Sequence, residues 1–282
     1  MFTRLLICDR MYELKGLVFM LIDFHTHAFP QKIAERAIES LSFASGGLIP
    51  QHQGTLDSLK EEMDKDGVDI SVVLGIATNP KQQKNVNDFA AEINKDERFV
   101  AFGSIHPDAP DALEELERIK ALGLKGIKLH PEYQDFFVDE ERMKPIYEKV
   151  SRLGLITLFH AGHDYGYNEP FRCMPESLER ALRWFSAPVV AAHWGGAGCG
   201  KEVVKHLCGK DVWFDLSFGY GNMPKSFAQE ILDKHTPDRL LFGSDMPWHR
   251  PMWEMRLIES LDILDSDKEK IYFKNAMKLL KI

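Results

Sequence analysis

LVFMLIDFHTHAFP (17–30) begins as an unbroken apolar run and ends in two histidines separated by one residue. A near-continuous apolar run suits a strand buried on both faces, as in parallel sheets. Seven further runs repeat the design: ISVVLGI (70–76), FVAFGSI (99–105), LKGIKLH (124–130), LITLFH (155–160), PVVAAH (188–193), VWFDLSF (212–218) and LLFGSD (240–245). Between them lie amphipathic segments such as LDSLKEEMDKDG (56–67), DALEELERIKALG (111–123) and ERMKPIYEKVSRLG (141–154). Each has apolar residues at helical spacing or close to it. The first two reach glycine after the last turn and the third repeats the pattern, a common helix stop. Most of the early runs recur roughly every 25–30 residues, one strand-plus-helix unit. Eight units in 282 residues predict an α/β fold, a closed (β/α)8 TIM barrel, over the alternative of an open doubly wound sheet. The longer first gap predicts an insertion containing 31–41, and KEKIYFKNAMKLL (268–280) reads as a final amphipathic helix.

No linker divides the chain, so 17–282 is expected to be one barrel domain, with 1–16 a loosely attached leader. The apolar stretch 17–22 has basic residues upstream, as a signal peptide would. It runs on into DFHTHAFP rather than into a small-residue cleavage site. Residues 1–19 are therefore expected to be dispensable for folding and activity, with Met20 an alternative start. Asp and Glu outnumber Lys and Arg, 43 to 35, for a net charge of −8, which disfavours a nucleic-acid partner. No run reaches the ~20 apolar residues of a bilayer span. Cys8, Cys173, Cys199 and Cys208 form no C-x-x-C pair and read as reduced thiols of a cytoplasmic protein.

Barrel active sites form where the strands end. The predicted strand ends here carry His25, His27, His106, Lys128, His130, His160, His193 and Asp245. Alternate strand residues share a face, so His25 and His27 can grip one ion, and imidazole with carboxylate suits Zn²⁺, Fe²⁺, Mn²⁺ or Co²⁺. Alone, H-x-H is as readily an incidental pair. Joined by His160, His193 and Asp245 at later strand ends, it reads as a metal site.

The chain resembles the amidohydrolase superfamily, in particular the amidohydrolase-2 branch with aminocarboxymuconate-semialdehyde decarboxylase-like proteins. The stretches that carry the likeness are DFHTHAFP (23–30), GIKLHPEYQ (126–134), LFHAGHD (158–164), AAHWGG (191–196), LLFGSDMPW (240–248) and NAMKLL (275–280). They run in order over nearly the whole chain. The resemblance implies four metal ligands, His25, His27, His160 and Asp245, and a catalytic histidine, His193, beside the metal. One divalent ion, Zn²⁺ first, would lower the pKa of a bound water to about 7. Asp245 could then pass a proton to the leaving group, and His193 could polarise a carbonyl or shuttle protons. In two-metal relatives a strand-4 lysine is carboxylated and bridges the ions; Lys128 is the matching residue, read first as a charge that orients substrate or a ligand.

His130, Trp194, Arg172 and Arg250 are further substrate-contact candidates near strand ends, each weighed against solvated surface or turn chemistry. His106 before Pro107 reads as structural, and His163 as facing water. GGAGCGK (195–201) imitates a phosphate loop, but Glu202 follows where Ser or Thr is needed, so it reads as a flexible glycine loop; Cys199 within it has no evident base. A TatD-like nuclease would carry a glutamate where GIKLHPE offers Lys128. A closed structural zinc site is the non-enzymatic alternative. The leading expectation is a metal-dependent hydrolase of a small amide, lactone or related acyl substrate. A metal-dependent non-oxidative decarboxylase of an unsaturated or aromatic carboxylic acid is the alternative. Partners are then a small molecule, with a homodimer left open, and neither nucleic acid nor membrane.

Overall fold

The computed structural model describes residues 20–282, so the expectations for the leader lie outside the described residues. All eight apolar runs contain strands: β1 (Ile22–Thr26), β2 (Ile70–Leu74), β3 (Phe99–Phe102), β4 (Gly126–Leu129), β5 (Ile156–Phe159), β6 (Val189–Ala191), β7 (Trp213–Asp215) and β8 (Leu240–Leu241). Among the described residues eleven α-helices accompany them: α1 (Ala34–Ala44), α2 (Leu56–Asp66), α3 (Gln83–Ile93), α4 (Ala112–Ala121), α5 (Lys144–Leu153), α6 (Pro175–Leu182), α7 (Gly200–His206), α8 (Lys225–Lys234), α9 (Pro251–Glu259), α10 (Asp265–Glu269) and α11 (Asn275–Leu280). The glycines expected to stop helices do so. Gly67 and Gly154 cap α2 and α5 at φ 73° and 62°, a conformation that costs an L side chain about 1 kcal/mol or more.

Every strand pair among the described residues is parallel, β1-β2-β3 in one ladder and β4 through β8 in another. Backbone bonds span the two seams. Gly103 N–H donates to the Gly126 carbonyl at 2.9 Å and Lys128 N–H to that of Gly103 at 2.8 Å. Across the other seam, Phe24 N–H reaches Phe242 O at 2.8 Å, Asp245 N–H reaches His25 O at 2.8 Å, and His27 N–H reaches Met246 O at 2.7 Å. The strands thus run in order around a ring and return to the start, the predicted TIM barrel. Buried Asp23 reinforces this last seam. Its carboxyl takes the Ser244 hydroxyl and the Ser244 N–H, and burial pushes its pKa up to about 7.

One apolar cluster lies between strands and helices; a second gathers Phe24, Val72, Leu158, Val190 and Leu241 with Leu279 and Leu280 of α11. The second cluster joins non-adjacent strands, so it fills the ring and the last helix closes one end. The opposite end carries the polar residues. Among the described residues no helix is long and apolar enough to cross a membrane. Cys173 and Cys199 are buried, and burial pushes the Cys199 thiol up to about 12, which leaves it unreactive.

His235 beneath β7 supplies a stability test. It is buried against Phe214, ring centroids 4.2 Å apart, and burial lowers its pKa from 6.5 to about 4. A depressed folded-state pKa contributes stability above 6.5 that is lost as pH falls toward 4. The contribution lost by pH 5 is on the order of 2 kcal/mol. His235→Gln should flatten the fall in urea-unfolding free energy between pH 7 and pH 5 by about that amount. A variant with the wild-type slope would refute the assignment.

Candidate metal centre

β1 does not run regularly to its end. Its register against β2 shifts between Asp23 and Thr26, and this irregular stretch delivers both imidazoles to Asp245. His25 Nε2 lies 3.3 Å and His27 Nε2 3.2 Å from Asp245 Oδ1. Asp245 itself holds φ 73°, and His193, Trp194 and Phe218 hold φ 59°, 60° and 56°. Left-handed backbone in non-glycine residues is costly, and its clustering at the strand ends marks a stretch whose shape serves the site.

The outer contacts fix which nitrogen of each ring donates away from the floor. His27 Nδ1 sits 2.9 Å from the Leu74 carbonyl, which can only accept, so Nδ1 donates there and Nε2 is the nitrogen turned to Asp245. His25 Nδ1 donates to Asp215 Oδ2 at 2.8 Å with the same result. Asp215 is fully buried, and its Oδ1 also accepts from Ser217 Oγ at 2.5 Å and from the His193 N–H at 3.1 Å. Because Ser217 donates to Asp215, it accepts from His193 Nδ1 at 2.9 Å, which leaves the His193 Nε2 lone pair free. That lone pair faces His160 Nδ1 at 3.1 Å, while His160 Nε2 donates to the His163 carbonyl at 3.2 Å.

The floor of the barrel mouth therefore gathers five atoms able to ligate a cation: His25 Nε2, His27 Nε2, Asp245 Oδ1, His160 Nδ1 and His193 Nε2. Burial, with Lys128 adding to it, pushes the His25 pKa well below its ordinary value, and burial with His160 does the same to His193. Imidazole nitrogens and a carboxylate oxygen turned on one another leave a point where a divalent cation would sit. The donor set fits such an ion. His25, His27 and Asp245 form one tight trio. His160 does not join it; it groups with His130 and Asp164 and stacks on the His130 ring at 4.2 Å. The structure thus brings three of the four expected ligands onto one point and sets the fourth beside His193.

Above the floor is an open cleft of about 950 Å³. Phe29, Leu41, Leu48, Leu74, Ile76, Tyr133, Tyr165, Phe218 and Trp248 form its walls, with Thr78, His163 and Asp164 among its polar lining. Lys128 and His130 line it too. Lys128 is 1% exposed, its Nζ has no hydrogen-bond partner, and burial lowers its pKa to about 8. Burial lowers His130 to about 3. Burial alone would raise the Asp164 carboxyl, but the hydrogen bond from His130 and the charge of His160 hold it below the usual range.

Three substrate candidates lie outside the cleft lining. Trp194 is 1% exposed within the core. Arg250 turns to Asp66 at 2.6 Å and Glu62 at 3.5 Å on α2. Arg172 pairs with Asp135 at 2.6 Å and lies over the Phe137 ring. His163, expected to face water, instead lines the cleft, stacked on Phe171 at 4.3 Å. The glycine loop after β6 is held rather than flexible. Ala197 N–H donates to Ala161 O and His163 N–H to Ala197 O, both at 2.9 Å. Gly162 lies so close that a Cβ there would come within 2.4 Å of Ala197 backbone atoms.

Asp215 and Ser217 escaped the sequence reading. Their signal was a carboxylate inside an apolar run, followed two residues later by a hydroxyl. Outer-sphere partners of this kind tune metal affinity, so Asp215→Asn should weaken metal binding about 10- to 100-fold in a chelator competition. Affinity within about twofold of wild type would refute the role.

The amidohydrolase profile matches residues 22–282. A solved structure of an uncharacterised TIM-barrel protein from Bordetella bronchiseptica has a TM-score of 0.74 at 19% identity, covering 93% of this chain and 99% of that one. 5-Carboxyvanillate decarboxylase from Sphingomonas paucimobilis gives 0.69 at 16% identity, covering 94% and 100%. A dihydroxybenzoic acid decarboxylase from a Polaromonas species, solved with manganese and the inhibitor 2-nitroresorcinol, gives 0.68 at 17%, covering 94% and 97%. These likenesses bear on the fold, while the profile match spans strands, cleft and acceptor floor alike; the chain belongs to the amidohydrolase family of metal-dependent TIM-barrel enzymes.

Proposed function

We propose that the protein is a non-oxidative decarboxylase of an unsaturated or aromatic carboxylic acid that works with one divalent cation, Zn²⁺ first. The observation that carries this reading is the pairing of a floor of metal-competent imidazoles and a carboxylate with a cleft walled by Tyr133, Tyr165, Phe218 and Trp248. A flat apolar body suits such walls, and its polar end suits the floor. The decarboxylases of similar fold support the same choice over hydrolysis, the leading expectation from sequence.

The bound cation would supply charge that holds the oxygen donors of the substrate and stabilises negative charge as it builds up. The chain's residues do the rest. The aromatic walls orient the body and exclude water. The bond between the substrate carbon and its carboxyl carbon breaks, CO₂ leaves, and the electron pair left on the carbon takes up a proton. His193 is the proposed proton carrier: its Nε2, unprotonated at rest, takes up a solvent proton and passes it to that carbon, while Ser217 and Asp215 back Nδ1 through the bonds described above. Asp245 would hold the cation with His25 and His27.

The test is metal-reconstituted protein, a panel of aromatic and unsaturated acids, amides and lactones, and ¹⁸O-labelled water with CO₂ monitored in parallel. CO₂ release with no solvent oxygen in the product is expected. Labelled oxygen in the product would establish hydrolysis instead. Silence across the panel, with metal bound, would leave a binding protein.

A further inference from the structure

Among the described residues the cleft lining contains one lysine, Lys128, and no arginine. Its stem runs inward from β4, where the residue pairs in register with Leu158 of the ring interior. Its Nζ is buried and makes no hydrogen bond. The charge that attracts it most is Asp215, and the Asp215 oxygens are already taken by His25, Ser217 and the His193 N–H. A buried ammonium without an acceptor is costly, so an external acceptor arriving at this atom is favoured. The two arginines that sequence placed near the mouth are tied to Asp66 and Asp135 instead. Two carboxylates, Asp164 and Asp245, also face the cleft and repel further negative charge.

We infer that Lys128 is the side-chain anion anchor of this cleft and restricts it to acids that present one carboxylate to the floor and an uncharged body to the walls. The inference rests on the reading of the cleft as the substrate site, and it goes further by naming the residue and the charge class it selects. A dicarboxylate with its second group on the far side of the ring would leave that group against aromatic walls with no cation to meet it.

Calorimetric binding of benzoate, benzamide and terephthalate to the metal-loaded protein tests this without turnover. Wild type should prefer benzoate over benzamide, and Lys128→Met should cut that ratio by at least about tenfold with benzamide affinity held within about threefold. Terephthalate should bind wild type about tenfold or more weakly than benzoate. Lys128→Gln, which keeps a donor and loses the charge, should shift the ratio in the same direction and serves if the methionine variant does not accumulate. An unchanged ratio, or terephthalate binding as tightly as benzoate, overturns the inference alone. Metal loss that accounts for the change would make Lys128 act through the metal and also overturn it. If neither benzoate nor benzamide binds wild type, the aromatic-acid reading falls and takes the inference with it.

Discussion

Asp245→Asn should cut kcat on the order of 10³-fold or more and weaken metal affinity in the same protein. The reason is local. Oδ1 of Asp245 is the atom on which His25 and His27 converge, at 3.3 and 3.2 Å. An amide there removes the only anionic member of the trio while keeping its shape. Asparagine also tolerates the left-handed backbone, so the φ of 73° adds little strain. Lost activity can then be read as chemistry rather than misfolding. Metal content by elemental analysis and turnover by CO₂ release are the readouts. A metal-replete, fully active variant would remove Asp245 from the mechanism.

His193→Ala should leave metal content near wild type and lower kcat about 10²- to 10⁴-fold. His193 Nε2 points at His160 rather than at the trio, and its ring lies 4.9 Å from that of His25, centroid to centroid. Its φ of 59° means alanine carries a backbone penalty of about 1 kcal/mol, so His193→Asn is the companion variant. Agreement between the two separates lost proton transfer from lost backbone shape. Metal loss in step with activity would instead make His193 a ligand.

The ring of eight strands was legible because a doubly buried strand leaves a mark that needs no partner: an apolar run closed by polar residues. Every run quoted from the sequence contains a strand. What escaped were directions. A strand end or loop fixes where a backbone is, not where a long side chain turns. Arg250 turns to Asp66, 184 positions away, and Arg172 to Asp135, 37 away, because the fold sets carboxylates there. His163 was misjudged because its loop is drawn inward by β-type bonds to Ala197, a contact that local sequence does not announce. Simple alternation along β1 was also too regular, since the register shifts where the two imidazoles leave the strand. Asp215 was passed over because only the folded ring puts it behind His25, 190 positions earlier.

Two residues of the metal trio, His25 and His27, come from the end of the first described strand and the residue just past it, and the third, Asp245, follows only after the last strand. Emerging from a ribosome, the polypeptide could not assemble this trio until Asp245 had been made. A translation product truncated before Asp245 should therefore be inert toward metal and substrate together, and a protein nicked between His27 and Asp245 should regain both only when its pieces reassociate.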